Sequence, residues 1–458
     1  MYEPRSMKSL LRPNQEQSPK QGLYAGSSGI SRRAVLRTAA AASGIFAAGA
    51  LTGCAGPSSG TSIQSWDLFS GADGVKMRAM IGAVSTANSL DVRPVTLAWG
   101  SPYYTKLAMA ASSGKAPNTA IMHLSRLAGF APERLLQPYD LDLLAEYGLK
   151  PADFAPAVWE RCFYNGKLFA VPMDTHPFIL LYNKDLAVKA GIANSDGKLR
   201  EISSPQALME AASRMAVATG KQGLSFGHVL DSAQSWRLFW GFYNQTGGGY
   251  TMTAGQPARI DKAKATEVLA FLKELLDGKA AVNNQTYHGA IADFTTGTTG
   301  MIFSGEWELP AFAKAVPNLG AVPMPTLFGT PASYTDSHVW VLPKQVSKDS
   351  EAFKASHQFV AGILKEGLNW AQAGHIPAFT PIQNTDEYRA LVPQVDYAAA
   401  GETPAFDPAV WFAGAGTDFQ NQLSQTLSAA LQGTVTVENA VNSMMEHVQT
   451  MLSAPNPT

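Results

Sequence analysis

Short apolar runs alternate with longer helical patterns in this chain. The runs SIQSWDLF (62–69), PVTLAWG (94–100) and APNTAIMHL (116–124) have the length and residue types of β-strands. Between them, residues 75–89 and 103–114 have the pattern of helices. This β-α-β-α-β order predicts an α/β fold in which helical crossovers join parallel strands.

The loops that follow the predicted strands are the expected ligand site. In an open parallel sheet, ligands bind beyond the carboxyl ends of the strands. Those ends lead into residues 67–73, 99–104 and 123–126, which carry aromatic and charged side chains. The alternation alone therefore predicts a pocket formed by these three segments.

A basic and then apolar segment precedes the predicted fold. Arg32 and Arg33 follow Ser31, and residues 39–51 are small or apolar throughout. This order is typical of an export signal peptide, and the arginine pair is similar to the twin-arginine signal. A transmembrane helix needs about 20 apolar residues, so the segment predicts export rather than a permanent span, by either the twin-arginine or the general secretory route.

The sequence LTGC (51–54) resembles the lipobox of bacterial lipoproteins, in which a peptidase cuts before the cysteine and the thiol then carries a diacylglycerol. On that resemblance, residues 1–53 are a signal peptide, Cys54 is the lipidated first residue of the mature protein, and residues 54–60 are a linker. The alternative is an ordinary signal peptide with an incidental cysteine. With Cys54 lipidated, Cys162 stands alone and no intramolecular disulfide forms.

The chain after residue 53 has the composition of a globular protein of low charge. Residues 1–53 hold seven of the 35 Lys and Arg and two of the 36 Asp and Glu, which leaves 28 basic and 34 acidic residues and a net charge near −6. This balance argues against a nucleic-acid partner, which selects a basic surface. The remaining 405 residues are enough for two domains. A charged content of 16 % with nine tryptophans favours a polar, uncharged ligand.

Three ordered segments carry a resemblance to a known family. They are GKLFAVPMDTHPFILLYNKDL (166–186), GTTGMIFSGEWELPAF (297–312) and AVPMPTLFGTPASYTDSHVWVLPK (321–344). Each is similar to a segment of the extracellular solute-binding proteins of ABC sugar importers, the group that includes maltose-binding protein. The resemblance spans nearly the whole mature chain, and its ordered segments are more specific together than any one alone.

The resemblance implies a two-lobed, type II periplasmic-binding-protein fold, with discontinuous α/β lobes joined by hinge strands. Residues 61–173 and 329–375 would form lobe I, and residues 178–325 and 380–458 would form lobe II. Each boundary falls at a proline-bearing sequence.

The resemblance also implies a function in transport. The protein would be a monomer, anchored by lipid on the outer face of the cell membrane. It would capture a sugar or oligosaccharide between its lobes and pass it to permease subunits driven by a separate ATPase, without any cofactor. A glycerol-phosphate-type or other polyol ligand is the alternative within the same fold, and Arg126 and Arg237 are the cations that favour it.

A sugar site needs polar groups at the ring edge and aromatic surfaces against the C–H faces. Trp307 lies where the family places an aromatic platform, Trp411 lies where it often places a second one, and residues 231–240 correspond to polar and aromatic contacts of its second lobe. The predicted ligand-binding residues are Trp307, Trp236, Asp174, His176, Asp231, Asp336, His338, Trp411, Arg126 and Tyr104.

Structural roles compete with these assignments. Trp240 and Trp340 are flanked by apolar residues, which favours the core. Asp174 could instead cap the hinge. Trp411 has a ligand and a structural interpretation of equal weight, whereas His375 is favoured as a hinge or helix-end residue.

A secreted carbohydrate-active enzyme is the remote alternative. Glu306 and Glu308 could be read as the carboxylate pair of a glycosidase, but on a strand they would point the same way from one element. The chain has no G-x-S-x-G elbow, and its eight histidines lack H-x-x-x-H spacing. The sequence therefore predicts no catalytic residues and no metal site. A scaffold lipoprotein would require repeats, which are also missing.

Overall fold

The computed structural model describes residues 61–347 and 349–454. The predicted signal peptide, Cys54 and the linker lie outside this part of the chain. The described strands are Ser62–Asp67 (β1), Asp91–Thr96 (β2), Thr119–His123 (β3), Leu136–Gln137 (β4), Phe163–Tyr164 (β5), Lys167–Leu168 (β6), Ala170–Pro172 (β7), Asp174–Asn183 (β8), Leu224–Ser225 (β9), Gly227–Val229 (β10), Tyr250–Thr251 (β11), Arg259–Ile260 (β12), Gln285–Thr286 (β13), Met301–Gly305 (β14), Leu319–Pro323 (β15), Ser333–Asp336 (β16), His338–Pro343 (β17), Ile376–Pro377 (β18) and Pro404–Ala405 (β19).

The described helices are Gly71–Asn88 (α1), Ser101–Ser113 (α2), Leu127–Phe130 (α3), Leu141–Glu146 (α4), Pro156–Trp159 (α5), Lys184–Lys189 (α6), Pro205–Thr219 (α7), Gln234–Gln245 (α8), Lys262–Leu275 (α9), Tyr287–Thr295 (α10), Leu309–Ala315 (α11), Ser350–Lys365 (α12), Gly367–Ala371 (α13), Thr380–Gln383 (α14), Asp386–Arg389 (α15), Gln394–Tyr397 (α16), Asp418–Leu431 (α17) and Val437–Ser453 (α18). Within the described residues, no helix has the length and hydropathy that crossing a bilayer requires.

Two sheets form the two lobes. The first has the order β2-β1-β3-β17-β4, with β7 also paired to β17. Strands β1, β2 and β3 pair in parallel, as the alternating pattern predicts. The predicted strand at 94–100 occurs instead at 91–96. Its Pro94 is tolerated because β2 lies at the edge of the sheet, where a missing N–H leaves no partner unsatisfied.

The second sheet is built around β8, which pairs with β14, β15, β16 and β18. All but the last of its ten residues are buried. Phe178 and Leu180 pack into one hydrophobic cluster, whereas Ile179 and Leu181 pack into another on the opposite face. Successive side chains of a strand point to opposite faces, so a run of apolar residues fits a strand covered on both sides.

The chain passes between the sheets at three crossings. The first is Met173, between β7 of the first sheet and β8 of the second. The second is Ser337, between β16 and β17, so the chain changes sheet eight residues later than the boundary expected at 329. The family resemblance placed residues 333–336 in lobe I, but their backbone pairs with β8 and β19 of the second sheet. The third crossing follows α13 and includes β18, which pairs with the start of β8.

Candidate functional site

A cavity of about 630 Å³ lies between the two sheets. From lobe I it is lined by residues 68–73, Trp99 and His123, which belong to the three segments expected at the carboxyl ends of the strands. Lobe II and the crossings line the rest, chiefly through residues 231–234, Arg237, Tyr287, His288, residues 307–308, residues 310–311, His176 and His338. A second cavity, of about 490 Å³, lies between α1 and α12, away from every predicted site residue.

Each lobe contributes a tryptophan to the cavity. Trp99 follows β2 and is 40 % exposed, which is unusual for so large an apolar side chain. Trp307 follows β14, where its ring lies over Gly305 so closely that a β-carbon there would overlap it at 2.0 Å. The indole Nε1 of Trp307 donates to the Tyr287 hydroxyl (2.9 Å). The orientation of Trp307 is therefore fixed, whereas Trp99 presents a free aromatic surface.

Glu306 and Glu308 do not form a carboxylate pair, because residues 306–308 form a 3₁₀ turn and not a strand. Glu308 lines the cavity and accepts a hydrogen bond from Tyr287 (2.6 Å). The Glu306 side chain is fully buried, within 2.9 Å of His375 Nδ1. Glu306 and Glu308 therefore do not face one cleft together, as the glycosidase interpretation of this pair requires.

Asp174 is the hydrogen-bonding centre of the three crossings. Its Oδ1 accepts the backbone N–H of His338 (2.8 Å) and lies 3.0 Å from His176 Nδ1. Its Oδ2 accepts Trp370 Nε1–H (2.7 Å) and lies 2.8 Å from His338 Nδ1. His375 Nδ1 is 3.3 Å from the same oxygen. A single carboxylate thus contacts the first, second and third crossings.

The ionised state of Asp174 follows from these contacts. Burial by itself raises the pKa of this carboxyl, but the neighbouring His338 and the N–H donors of His176, His338 and His375 outweigh it and hold the pKa well below its ordinary range. Asp174 is consequently a buried anion at neutral pH. Such a charge is tolerated only where hydrogen bonds and a counter-charge replace water.

His375 supplies the counter-charge. Its Nδ1 lies 2.9 Å from Glu306 and its Nε2 lies 3.3 Å from Asp73, at ion-pair distance but without aligned hydrogen bonds. Burial lowers the pKa of His375, but Asp73 and Asp174 outweigh burial and raise it well above its ordinary value. The ring also stacks on Trp370, with centroids 4.2 Å apart, which favours a cation. His375 therefore joins lobe I, through Asp73, to lobe II, through Glu306.

Of the histidines that line the cavity, His123, His176 and His338 have defined hydrogen-bonding roles. Asp174 takes the Nδ1–H of His176 and His338, which leaves the Nε2 atoms of these rings as acceptors. The Tyr104 hydroxyl accepts the backbone N–H of His123 and contacts its Nδ1 (2.7 Å), which favours Nε2–H on His123. Burial lowers the pKa of His176 to about 4 and that of His123 well below its usual range, so both rings are neutral. The cavity thus offers both acceptors and a donor.

Asp174, His176, His338 and His375 also have the composition of a metal site, since their ligand atoms lie within 4.8 Å of one another. A carboxylate with imidazoles is a set that zinc uses. The spacing is already explained by N–H groups directed at Asp174, because the Nδ1 atoms of His176 and His338 lie at hydrogen-bond distance from it. The geometry therefore fits a hydrogen-bonded cluster.

Four of the ten predicted ligand residues line the cavity, namely Trp307, His176, His338 and Asp231. Asp231 also accepts the first N–H groups of α8, from Ala233 and Gln234. Asp174 lies directly behind the two histidines. The structure brings these five residues together from both lobes and two crossings.

The other five predicted residues do not line the cavity. Trp236 is fully buried and donates to Asp407 (2.6 Å), because consecutive residues of a helix point about 100° apart and its neighbour Arg237 faces the cavity instead. Asp336 accepts three hydrogen bonds from Ser125 and Ser337. Its carboxylate is therefore occupied by the second crossing and the end of β3.

The remaining three have structural contacts. Tyr104 is buried behind His123, and the Arg126 guanidinium lies 4.3 Å from the centre of the Tyr104 ring. Arg126 also donates to the Ala415 carbonyl (3.4 Å). Trp411 packs against Phe412. Its carbonyl oxygen lies so close to Gly129 that a β-carbon on that glycine would be only 2.7 Å away. These residues join the lobes next to the cavity.

Residues 87–394 match the protein family described as bacterial extracellular solute-binding protein. This chain belongs to that family. The maltodextrin-binding protein MdxE of Bacillus subtilis (strain 168) is 24 % identical over 351 residues, which are 70 % of this chain and 79 % of the relative. As a member of an extracellular family, this solute-binding protein acts outside the cytoplasm.

Solved structures show the same fold. The GacH receptor of Streptomyces glaucescens GLA.O superposes with a TM-score of 0.73 at 20 % identity, over 86 % of this chain and 99 % of the receptor. The cyclic α-maltosyl-1,6-maltose binding protein of Arthrobacter globiformis superposes with a TM-score of 0.68 at 19 % identity, over 86 % of this chain and all of the other. The solute-binding protein therefore has the predicted two-lobed fold.

Sequence reasoning missed several groups that line the cavity of this solute-binding protein. Trp99 and His123 were included only as members of loop segments, although their positions after strands were a usable signal. Tyr287 and His288 begin α10, and no pattern in the sequence connects them with the cavity. They reach it only because lobe II places the start of α10 beside Trp307.

Replacing Asp174 with asparagine tests its role at the crossings. The amide removes the anion and leaves His375 with less counter-charge, so we expect Asp174→Asn to lower the free energy of unfolding by about 3–5 kcal/mol. Asp185→Asn is the matched control, because Asp185 is exposed and accepts one hydrogen bond from Asn318. Urea denaturation should show a change within about 0.5 kcal/mol for the control. Equal stability of the two variants would contradict the role of Asp174.

The pH dependence of stability tests the buried Glu306. Burial raises its pKa from 4.5 to about 8, although His375 acts in the opposite direction. The folded protein then keeps a proton that the unfolded chain releases, so this stabilisation is complete below pH 4.5 and is lost as the pH rises towards 8. Between these values we expect the free energy of unfolding to fall more steeply in wild type than in Glu306→Gln, by up to about 1.4 kcal/mol per pH unit. Parallel curves would show that Glu306 is ionised in the folded protein.

Proposed function

We propose that this protein captures a carbohydrate between its lobes and delivers it to the permease of an ABC importer, whose ATPase is a separate subunit. The observation that carries the proposal is the pair of tryptophans, Trp99 and Trp307, one from each side of a cavity rich in hydrogen-bonding groups. Relatives support it, because MdxE is a maltodextrin-binding protein and the GacH receptor was solved with acarbose.

The cavity matches the chemistry of a sugar. Indole rings cover C–H faces, whereas hydroxyls at the ring edge both donate and accept. The Nε2 atoms of His176 and His338 supply acceptors and that of His123 supplies a donor. The volume of about 630 Å³ falls within the range of small-molecule sites. Capture in this proposal involves no reaction, so the protein is a binding component and not an enzyme.

Closure of the two lobes completes the proposed mechanism. The crossings at Met173, Ser337 and residues 372–380 are the proposed hinge, and a ligand that contacts both tryptophans favours the closed form by its greater affinity for it. The proposed lobes have the boundaries expected from the sequence, except that the second boundary is at Ser337 instead of residue 329. We further propose that the protein is a monomer held at the outer face of the membrane through Cys54.

Removal of each tryptophan tests the proposed site. We expect Trp99→Ala and Trp307→Ala each to weaken binding of the tightest neutral or charged oligosaccharide in a calorimetric panel by about ten- to a hundredfold. Trp99→Ala should leave the ligand-free melting temperature unchanged, since that indole is 40 % exposed. Tyr164→Ala, an exposed aromatic in the β5–β6 hairpin, is the control and should keep wild-type affinity. Wild-type affinity in both tryptophan variants would place the ligand elsewhere.

Mass analysis tests the proposed anchor. Protein extracted from membranes of a producing bacterium should begin at Cys54 and carry the added mass of a diacylglycerol, whose two acyl chains give durable membrane binding. Cys54→Ala should abolish the added mass, whereas Cys162→Ala should retain it, since the Cys162 thiol is buried. An unmodified wild-type chain that begins at another residue would rule out the anchor.

A further inference from the structure

Arg237 is a buried cation that faces the cavity and has no carboxylate partner among the described residues. It lies in the first turn of α8, is 8 % exposed, and lines the cavity. Its Nε is inaccessible to solvent and has no hydrogen-bond partner among the described residues. Over the same part of the chain, no carboxylate lies within 4.0 Å of its guanidinium nitrogens.

An arginine in this state is energetically unusual. The guanidinium remains charged at any physiological pH, and burying an unpaired charge costs several kcal/mol. Two aromatic rings offset part of this desolvation cost, because the guanidinium carbon lies 4.9 Å from the centre of the Trp307 ring and 5.8 Å from that of Tyr334. A cation–π contact contributes less than the cost of burying the charge. The Nη–H groups of the guanidinium remain available for a planar oxygen acceptor.

The nearby carboxylates are already occupied. Asp407 accepts Trp236 Nε1–H and the Tyr334 hydroxyl. Asp336 is bonded to Ser125 and Ser337 on the side of the second crossing. Neither carboxylate comes within 4.0 Å of the guanidinium nitrogens, although the charge of Arg237 acts on Asp407 at longer range, against the effect of burial on the pKa of that carboxyl. Among the described residues, the guanidinium therefore has no ion-pair partner in contact.

The acidic side chains that line the cavity each have a partner of their own near by. Asp231 accepts two N–H groups at the start of α8. Asp73 lies 3.3 Å from His375 Nε2, and Glu308 accepts the Tyr287 hydroxyl. Among the described residues that line the cavity, Arg237 is the one lysine or arginine. An anionic group would therefore be drawn to this point of the cavity.

We propose that Arg237 is an oxyanion subsite, and that the carbohydrate bound in this cavity carries a carboxylate or phosphate group that pairs with its guanidinium. The sugar ring next to that group then lies against Trp307, which the same guanidinium already contacts. The choice of an acidic carbohydrate rests on the proposed function, whereas the capacity to bind an oxyanion does not. This proposal differs from the uncharged ligand that the low charged content of the sequence favours. One buried cation at the cavity says more about the ligand than the average composition of the chain does.

A titration with inorganic phosphate tests the subsite without any sugar. At constant ionic strength, phosphate should raise the melting temperature of the wild type and of Arg237→Lys, because binding to the folded state stabilises it, and should not raise that of Arg237→Gln. Arg161→Gln is the matched control, since Arg161 also stacks on an aromatic ring, Phe406, but donates to the Asp407 carbonyl and lies outside the cavity. It should respond to phosphate like the wild type.

The ligand-free stability of Arg237→Gln is a second readout. Removing an unpaired buried charge should leave the melting temperature unchanged or raise it. A large decrease would mean that the guanidinium supports the fold, and that result would overturn the subsite. An equal response to phosphate in wild type and Arg237→Gln would overturn it as well.

Calorimetry with matched sugars identifies the ligand class. We expect glucuronate, glucose 6-phosphate or digalacturonate to bind about 10- to 100-fold more tightly than glucose or galactobiose, because a hydrogen bond to a charged group contributes more than a neutral one. Arg237→Gln should remove that preference, and the preferred member separates carboxylate from phosphate. Binding of neutral sugars with no phosphate response would retain the proposed function and refute the subsite. A phosphate response with no sugar binding would retain the subsite and refute the proposed function.

Discussion

The structure depends on one buried carboxylate at the place where its lobes meet. Asp174 starts the strand that organises the second sheet, and its side chain holds His338 at the start of β17 and Trp370 at the end of lobe I. His375 lies against the same oxygen from the third crossing. The first crossing precedes the second by 164 residues in sequence, and one shared anion fixes the positions of all three relative to one another. Buried ions are rarely net stabilising, but they define geometry because an unpaired one is so costly.

The same carboxylate determines the chemistry of the cavity. By taking the Nδ1–H of His176 and His338, Asp174 orients both rings and leaves their Nε2 atoms as acceptors at the cavity surface. This resembles the way that a buried carboxylate orients a histidine behind a metal or a catalytic site. The cavity-lining histidines and the crossings therefore belong to one hydrogen-bonded cluster. A ligand that contacts His176 or His338 would also contact the groups that join the lobes.

Local pattern predicted much of the fold and part of the site. The parallel strands β1–β3 and their helices follow from short-range periodicity, and the cavity lies at their carboxyl ends as the topology requires. The sequence singled out Trp307 because a large aromatic residue that follows a strand and lies between two glutamates is better suited to the surface than to the core. The structure places this tryptophan at the cavity. Trp236 could not be separated from Arg237 in this way, because the direction of each side chain depends on how α8 rotates against lobe II.

Periodicity and ordered local segments were enough to predict the α/β class, the family, and the loop segments at the carboxyl ends of β1, β2 and β3 that line the cavity. They did not give the exact ends of the strands. The ionised state of Asp174 at the meeting point of three crossings, in contrast, follows from the folded arrangement alone. The same is true of Arg237, which has no carboxylate within 4.0 Å among the described residues. Those properties depend on which groups approach within hydrogen-bond distance after burial, and residues such as Asp174 and His375 are some two hundred positions apart in the chain. Solvation and pairing are properties of the folded neighbourhood, so no spacing along the sequence could have revealed them.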